Sequence, residues 1–307
     1  MNEKAMRILE YPKIIESLAE CATSPMGKAL CQKLTPSSDL GEICRLQMET
    51  SDALTRIYAK GSISFSGLKD IGASLLRLKV GSTLNIPELL TISKLLDAAL
   101  RVKSYARKET DDSRKDSLDD MFDIIEPLTP LNNEIKRCIV SEDEIADDAS
   151  PGLKSVRRSI RLTNDRIHQQ LNSMVNSQSV GSKLQDNLIT MRNGRYCLPV
   201  KAEYRSQVEG MIHDQSSTGS TLFIEPMAVV RLNNELAQLA SKEKEEISKI
   251  LAALSENAAG YQDALKDNMQ TMAQLDFIFA RAVLSRQYSG SEPVFNENGY
   301  IHIKKGR

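Results

Sequence analysis

Apolar residues recur at steps of three and four over most of this chain, and at steps of two over one short stretch. After Ser150-Pro151-Gly152, the positions Leu153, Val156, Ile160, Thr163, Ile167, Leu171 and Met174 mark one face of an uninterrupted helix to about Gln178. At 1.5 Å per residue such a helix is roughly 40 Å long. Met227 opens a second one, carried by Val229, Leu232, Leu236, Leu239, Ile247, Ile250, Leu254, Tyr261 and Leu265, with Gly260 as its weak point. Both stripes are narrow, and the remaining faces are charged, as in the run Lys242-Glu243-Lys244-Glu245-Glu246. A narrow stripe suits a helix packed on a single partner, so the two are expected to run as an antiparallel pair.

Between them the period falls to two. Asn187 to Asn193 alternates, Asn193-Gly194 is the preferred dipeptide of a two-residue hairpin, and Arg195 to Val200 answers as the returning strand. Pro199 implies an edge or a bulge there. Gln207 to His213 and Thr221 to Ile224 supply two more strands, joined by the polar loop Asp214 to Ser220. The pattern predicts a small antiparallel sheet at the tip of a helical arm.

The flanks read as helix. Ser24-Pro25 caps a helix through Leu34, Asp39 caps another, and Pro87 opens one whose Leu89, Ile92, Leu95, Leu96, Ala99 and Val102 share a face. Lys108 to Asp120 reads as a loop, Pro127 and Pro130 bracket a break before a short helix near Cys138, and Gln270 to Tyr288 is again helical. Tyr300 to Lys304 alternates like a strand and has no partner, which predicts the first strand of a further domain. The fold class expected is mainly α: a helical core (1–150), an outbound lever helix (151–180), a β-rich clamp (181–226), a returning lever helix (227–268), a core helix (269–296) and the opening strand (297–307).

Composition agrees with an α-rich soluble protein, since aromatics are 5% and Trp is absent among 307 residues. Five cysteines, none in C-x-x-C spacing, argue against a disulfide framework and a zinc knuckle and fit a reducing cytoplasm. No apolar run approaches the roughly 18 residues that span a bilayer. The net charge of −1 hides a segregation: residues 109–149 hold 14 acidic and 4 basic residues, whereas 151–222 hold 10 basic and 5 acidic. The acidic block reads as a solvated linker.

Catalytic motifs fail on residue type and spacing. Gly27-Lys28 is followed by Ala29 rather than Ser or Thr, and Ser217-Thr218-Gly219-Ser220-Thr221 has no lysine, so neither is a phosphate-binding loop. Ser216 or Ser217 with His213 and Asp214 does not make a triad, because neighbours in a strand point to opposite faces. Three scattered histidines offer a metal nothing to build on. What remains is contact with a polyanion. Arg192, Arg195, Lys201 and Arg205 interleave with Tyr196 and Tyr204 on the predicted clamp, and Lys154, Arg157, Arg158 and Arg161 recur on the outbound helix. Lysine and arginine neutralise phosphates, and tyrosine stacks on exposed bases. An ordinary solvated strand face, with tyrosines packing the sheet, accounts for the same spacing.

Two strings carry a resemblance. Arg192-Asn193-Gly194-Arg195-Tyr196-Cys197-Leu198-Pro199-Val200-Lys201-Ala202-Glu203-Tyr204-Arg205, and Gly210-Met211-Ile212-His213-Asp214-Gln215-Ser216-Ser217-Thr218-Gly219-Ser220-Thr221-Leu222-Phe223-Ile224-Glu225-Pro226, closely resemble the clamp of the second type of bacterial MutS paralogue. The likeness extends over essentially the whole chain; Cys197 stands where an aliphatic residue is expected. The resemblance implies core, lever and clamp elements followed by a dimerising ATPase domain and a small nuclease-like domain, neither present here. It implies no cofactor in this chain, with ATP and magnesium held by the missing domain, and a homodimer in the intact protein. The partner implied is a collided ribosome, with its rRNA, that ATP drives apart, or branched DNA whose cleavage restrains recombination. A coiled-coil scaffold whose arm tip binds a protein is the competing reading of the same pattern.

Overall fold

The computed structural model of the protein describes residues 3–107 and 115–304. Among the described residues eight helices come first: α1 (Glu3–Ile8), α2 (Tyr11–Cys21), α3 (Pro25–Gln32), α4 (Leu40–Lys60), α5 (Gly72–Lys79), α6 (Ile86–Ala106), α7 (Asp119–Ile124) and α8 (Thr129–Cys138). A short hairpin, β1 (Ile139–Ser141) and β2 (Glu144–Ile145), leads to α9 (Pro151–Val175) and the single turn α10 (Gln178–Gly181). Strands β3 (Thr190–Arg192), β4 (Arg195–Lys201), β5 (Gly210–Gln215) and β6 (Thr221–Pro226) follow, then α11 (Met227–Ala259) and α12 (Gln262–Gln287). The chain divides into two compact units, Met1–Arg137 with Ala252–Arg307, and Cys138–Leu251.

The first unit is built around α12, whose Leu265, Met272, Leu275, Ile278, Phe279 and Ala280 are all buried. A helix apolar on several sides belongs inside a bundle, and α2, α3, α4 and α6 pack on it. Phe279 is the aromatic hub, with ring centroids 6.1 Å from Phe65, 5.8 Å from Tyr105 and 6.4 Å from Phe122. The predicted caps hold: Ser24 accepts from the Gly27 N–H, and Asp39 from the Glu42 N–H. Asp276 of α12 reaches the same end of α3, accepting from the Ser24 N–H at 2.7 Å and its hydroxyl at 2.6 Å.

Several expectations change. The acidic block is folded rather than a linker where it is described, although most of its carboxylates stay exposed (109–114 lie outside the described residues). Residues 119–124 and 129–138 are helical, and the buried Arg56 draws Asp116 (2.6 and 2.8 Å) and Asp119 (2.8 Å) into the core. A buried guanidinium is tolerated only when carboxylates surround it, so part of the acidic excess is structural. The predicted loop at 108–120 likewise yields to α7 from Asp119 onward, and its residues 108–114 fall outside the described set. The returning helix does not run to 268: it ends at Ala259, and α12 begins at Gln262 and absorbs the separate core helix expected from 269. Gly260 is where the chain turns, as the loss of backbone entropy at glycine favours. Finally, Tyr300 to Lys304 is irregular, with Tyr300, Ile301 and Ile303 exposed; a strand exists only against a partner. Among the described residues no helix is long and apolar enough to cross a membrane.

In the second unit α9 and α11 pair antiparallel. Arg157 Nε donates to Glu243 at 2.7 Å and Thr163 Oγ1 lies 3.4 Å from Glu235, so the register climbs on one helix as it falls on the other. Further along, Ile167, Leu171 and Val175 of α9 and Val229 of α11 join Leu198, Val200 and Ile224 of the sheet in one apolar cluster. The outbound helix is slightly shorter than expected, because Ser177 starts a new cap for α10.

Candidate nucleic-acid interface

The sheet has the order β3-β4-β6-β5, antiparallel throughout. Asn193 (φ 51°) and Gly194 (φ 73°) form the two-residue turn between β3 and β4, and only residues that tolerate positive φ at both places allow it. Pro199 lies in an inner strand rather than at an edge, yet it breaks no bond. Its carbonyl accepts from the Gln185 N–H at 2.8 Å, so its nitrogen also points away from β6, on the side where β3 has already ended.

At the arm end of β4 a polar knot joins three strands to α11. The carboxylate of Glu225 has 0% exposure; it accepts from Arg195 Nη1 (2.9 Å) and Asn233 Nδ2 (2.8 Å), and its Oε2 lies 2.5 Å from His213 Nε2. Arg195 also reaches Asn234 at 2.7 Å. Asn233 completes the knot by accepting from the Tyr196 N–H and donating to its carbonyl, each at 3.2 Å, which continues the β4 ladder beyond the end of β6. A register shift between Ile212 and Asp214 swings His213 toward Glu225.

The ten residues expected at a polyanion surface therefore separate. Arg157 is tied to Glu243, to Asp147 at 2.6 Å and to the Ile145 carbonyl at 2.7 Å. Arg195 belongs to the knot. Arg205 donates to the carbonyls of Val208 and Gly210. Tyr196 donates to Asn164 at 3.0 Å and sets its ring edge-on to His168, while Tyr204 packs on the apolar cluster. These five hold the arm together instead of facing outward, because each lies where two elements meet and a half-buried polar group needs a partner. Arg192 is intermediate: its guanidinium lies 4.0 Å over the Phe223 ring and 3.3 Å from Asp214. Arg161 shares Asp147 at 3.1 Å and stays 64% exposed. Lys154, Arg158 and Lys201 have no ionic partner among the described residues.

Residue reasoning missed Lys183, which the chain after α10 lays beside Lys201. It also missed Glu225, although an acid between Ile224 and Pro226 in an apolar strand was a legible signal. Cys197, the departure from the clamp string, is fully buried; burial, and then the Glu225 charge, push its thiol up to about 11. It packs as a small apolar residue.

The chain resembles known proteins along its full length. It is 58% identical over 312 residues to Endonuclease MutS2 of Lachnoclostridium phytofermentans, 53% identical over 307 residues to that of Agathobacter rectalis, and 50% identical to that of Lachnospira eligens. The chain belongs to the MutS2 family. No family model matches it. All of this chain is covered, but it spans only about 39% of the length of the first two relatives and 38% of the third. The MutS2 likeness and the helical, small-sheet architecture agree with the core-and-clamp reading of the sequence.

The resemblance of the clamp strings implied ATP for the intact protein, and the glycine-lysine step at 27–28 can be tested against it on geometry. At Gly27 an added Cβ would lie 2.2 Å from Asp276 Oδ2, and the α3 N-terminus that would receive a phosphate already holds that carboxylate. These residues do not fit a triphosphate.

Proposed function

We propose that this chain is the gripping region of a MutS2-type ATPase, in which the sheet is the clamp and α9 with α11 is the lever. The observation that carries the reading is the sorting of cations on the arm. Arg157, Arg195 and Arg205 are consumed by the fold, whereas Lys154, Arg158 and Lys201 are left without counter-charge among the described residues. Unpaired cations along one body favour a phosphate backbone, which they position without reading its sequence. The relatives' name, an endonuclease, supports a nucleic-acid object.

On this reading the object gripped is the RNA of a collided ribosome or a branched DNA intermediate. ATP and magnesium act outside this chain, and the intact protein works as a homodimer, so that ATP turnover moves the levers and the clamp's hold changes. The chain's own part is contact and not chemistry.

Binding of the chain to a four-way DNA junction and to ribosomes over a salt series tests this. Affinity should fall steeply, with a log–log slope of about −0.9 for each duplex phosphate neutralised. Absent or salt-insensitive binding overturns the proposal and favours a scaffold that binds protein.

A further inference from the structure

Lys183 and Lys201 lie on adjoining backbones at the end of β4 remote from the Glu225 knot. Leu184 bridges Val200, and on either side of that bridge the Lys201 N–H donates to the Lys183 carbonyl (3.0 Å) and the Gln185 N–H to the Pro199 carbonyl (2.8 Å). The first of these bonds ties the backbones of Lys183 and Lys201 together, with Lys183 in the turn that follows α10, its N–H on the Val180 carbonyl at 2.9 Å. On its other side Lys201 is the register partner of Thr221, and the Ala202 N–H donates to the Ser220 carbonyl at 2.9 Å. The β5–β6 turn thus borders the pair, with Ser216, Thr218 and Ser220 hydroxyls linked at 3.3 and 2.8 Å.

Both lysines are half-buried, and among the described residues no carboxylate pairs with either. Glu203 and Asp186, close by in sequence, are exposed and pair with neither. Like charges on adjoining backbones repel, and more strongly where they are partly withdrawn from water. The fold gains nothing from this repulsion, and an anion seated between the two ammonium groups turns it into attraction.

We propose that Lys183 and Lys201 form a seat for a single phosphodiester group of the gripped nucleic acid, with the turn hydroxyls of Thr218 and Ser220 as neighbouring donors. The proposal rests on the clamp reading and locates one contact within it. Two cations on one phosphate act as a unit, so losing either removes most of the contact.

The test uses the full chain with Lys183→Gln, Lys201→Gln and the double variant, bound to duplex DNA and to an RNA hairpin over a salt series. The double variant should flatten the log–log slope by roughly 0.9 on duplex or 0.7 on single-stranded nucleic acid. Each single variant should give most of that change. All three should melt at the same temperature as the parent or higher, because repulsion is relieved. An unchanged slope in a chain that still binds overturns the seat and leaves the clamp reading standing. A lower melting temperature in all three also overturns it, since the lysines would then serve the fold. A parent chain that binds neither nucleic acid overturns the clamp reading and the seat together.

Discussion

Glu225 and His213 meet at 2.5 Å, with the carboxylate fully buried and the imidazole mostly so. The contact crosses from β6 to β5, and the same carboxylate reaches β4 through Arg195 and α11 through Asn233. One acid thus fixes three strands to the helix that follows them. Replacing Glu225 by Ala leaves Arg195 and His213 without their partner, and breaking a buried pair in this way costs about 3 kcal/mol. Urea unfolding followed by hydrogen exchange in β4–β6 should show the loss confined to residues 138–251. A variant as stable as the parent would remove the knot from the account of the clamp.

Gly27 is the corresponding point in the other unit. Gly27→Ala drives a methyl group against the Asp276 carboxylate, which is itself held by the N–H and hydroxyl groups of Thr23 and Ser24. Overpacking of this sort costs about 1–3 kcal/mol. Asp276→Ala strands those donors at the start of α3 and should cost about as much. Thermal melting of both variants checks the pair. Lack of any destabilisation in Asp276→Ala would show that the α3 terminus does not depend on it.

Thiol chemistry should separate the cysteines. Cys31 and Cys197 are buried with thiols pushed up to about 11, first by burial, whereas Cys44 is exposed. The thiolate is the nucleophile, so a raised value means little reactive form at pH 8. Iodoacetamide at that pH should modify Cys44 first, and mass spectrometry should find Cys197 alkylated only as pH nears 11 or the chain unfolds. Early labelling of Cys197 in folded protein would contradict its packing.

The junction between β2 and the arm should respond to acid. Hydrogen bonds from Arg157, then Arg161, hold the Asp147 carboxyl below its ordinary value. A depressed folded value means the stabilisation is present above the unfolded value of about 3.9 and is lost as pH falls through the folded one. Asp147→Asn should therefore flatten the acid limb of the stability profile. An unaltered limb would show that Asp147 contributes nothing measurable.

Arg157 and Arg158 are neighbours with opposite expected phenotypes. Arg157→Ala removes contacts to Glu243, Asp147 and Ile145 and should lower stability by about 1–2 kcal/mol. Arg158→Ala should leave stability within about 0.5 kcal/mol and reduce the salt slope of nucleic-acid binding by about 1. Melting curves and binding isotherms on the two proteins give the comparison directly; matching phenotypes would undo the sorting of cations.

Much of the architecture is legible in the order of residues alone. A 3.6-residue period over 153–174 and 229–254 dictates two long helices, and Asn193-Gly194 dictates the hairpin, because local sterics decide both. Caps at Ser24 and Asp39 are readable for the same reason: the partner of a cap lies three residues away. The clamp strings are specific enough to place the family.

What the sequence leaves undecided concerns groups distant in the chain. Arg157 and Arg158 look alike in a string, and only the approach of Glu243, Asp147 and the Ile145 carbonyl makes the first structural, while Arg158 has no ionic partner among the described residues. Asp116 and Asp119 read as solvated with the rest of the acidic block because their partner is remote: Arg56 stands 60 residues from Asp116 and 63 from Asp119. Lys183 comes beside Lys201 only because the chain after α10 lies beside β4. Helix and turn follow from near neighbours, whose geometry the backbone fixes. The fate of a charge depends on which opposite charge the fold brings within about 3 Å, and that is decided by tertiary structure.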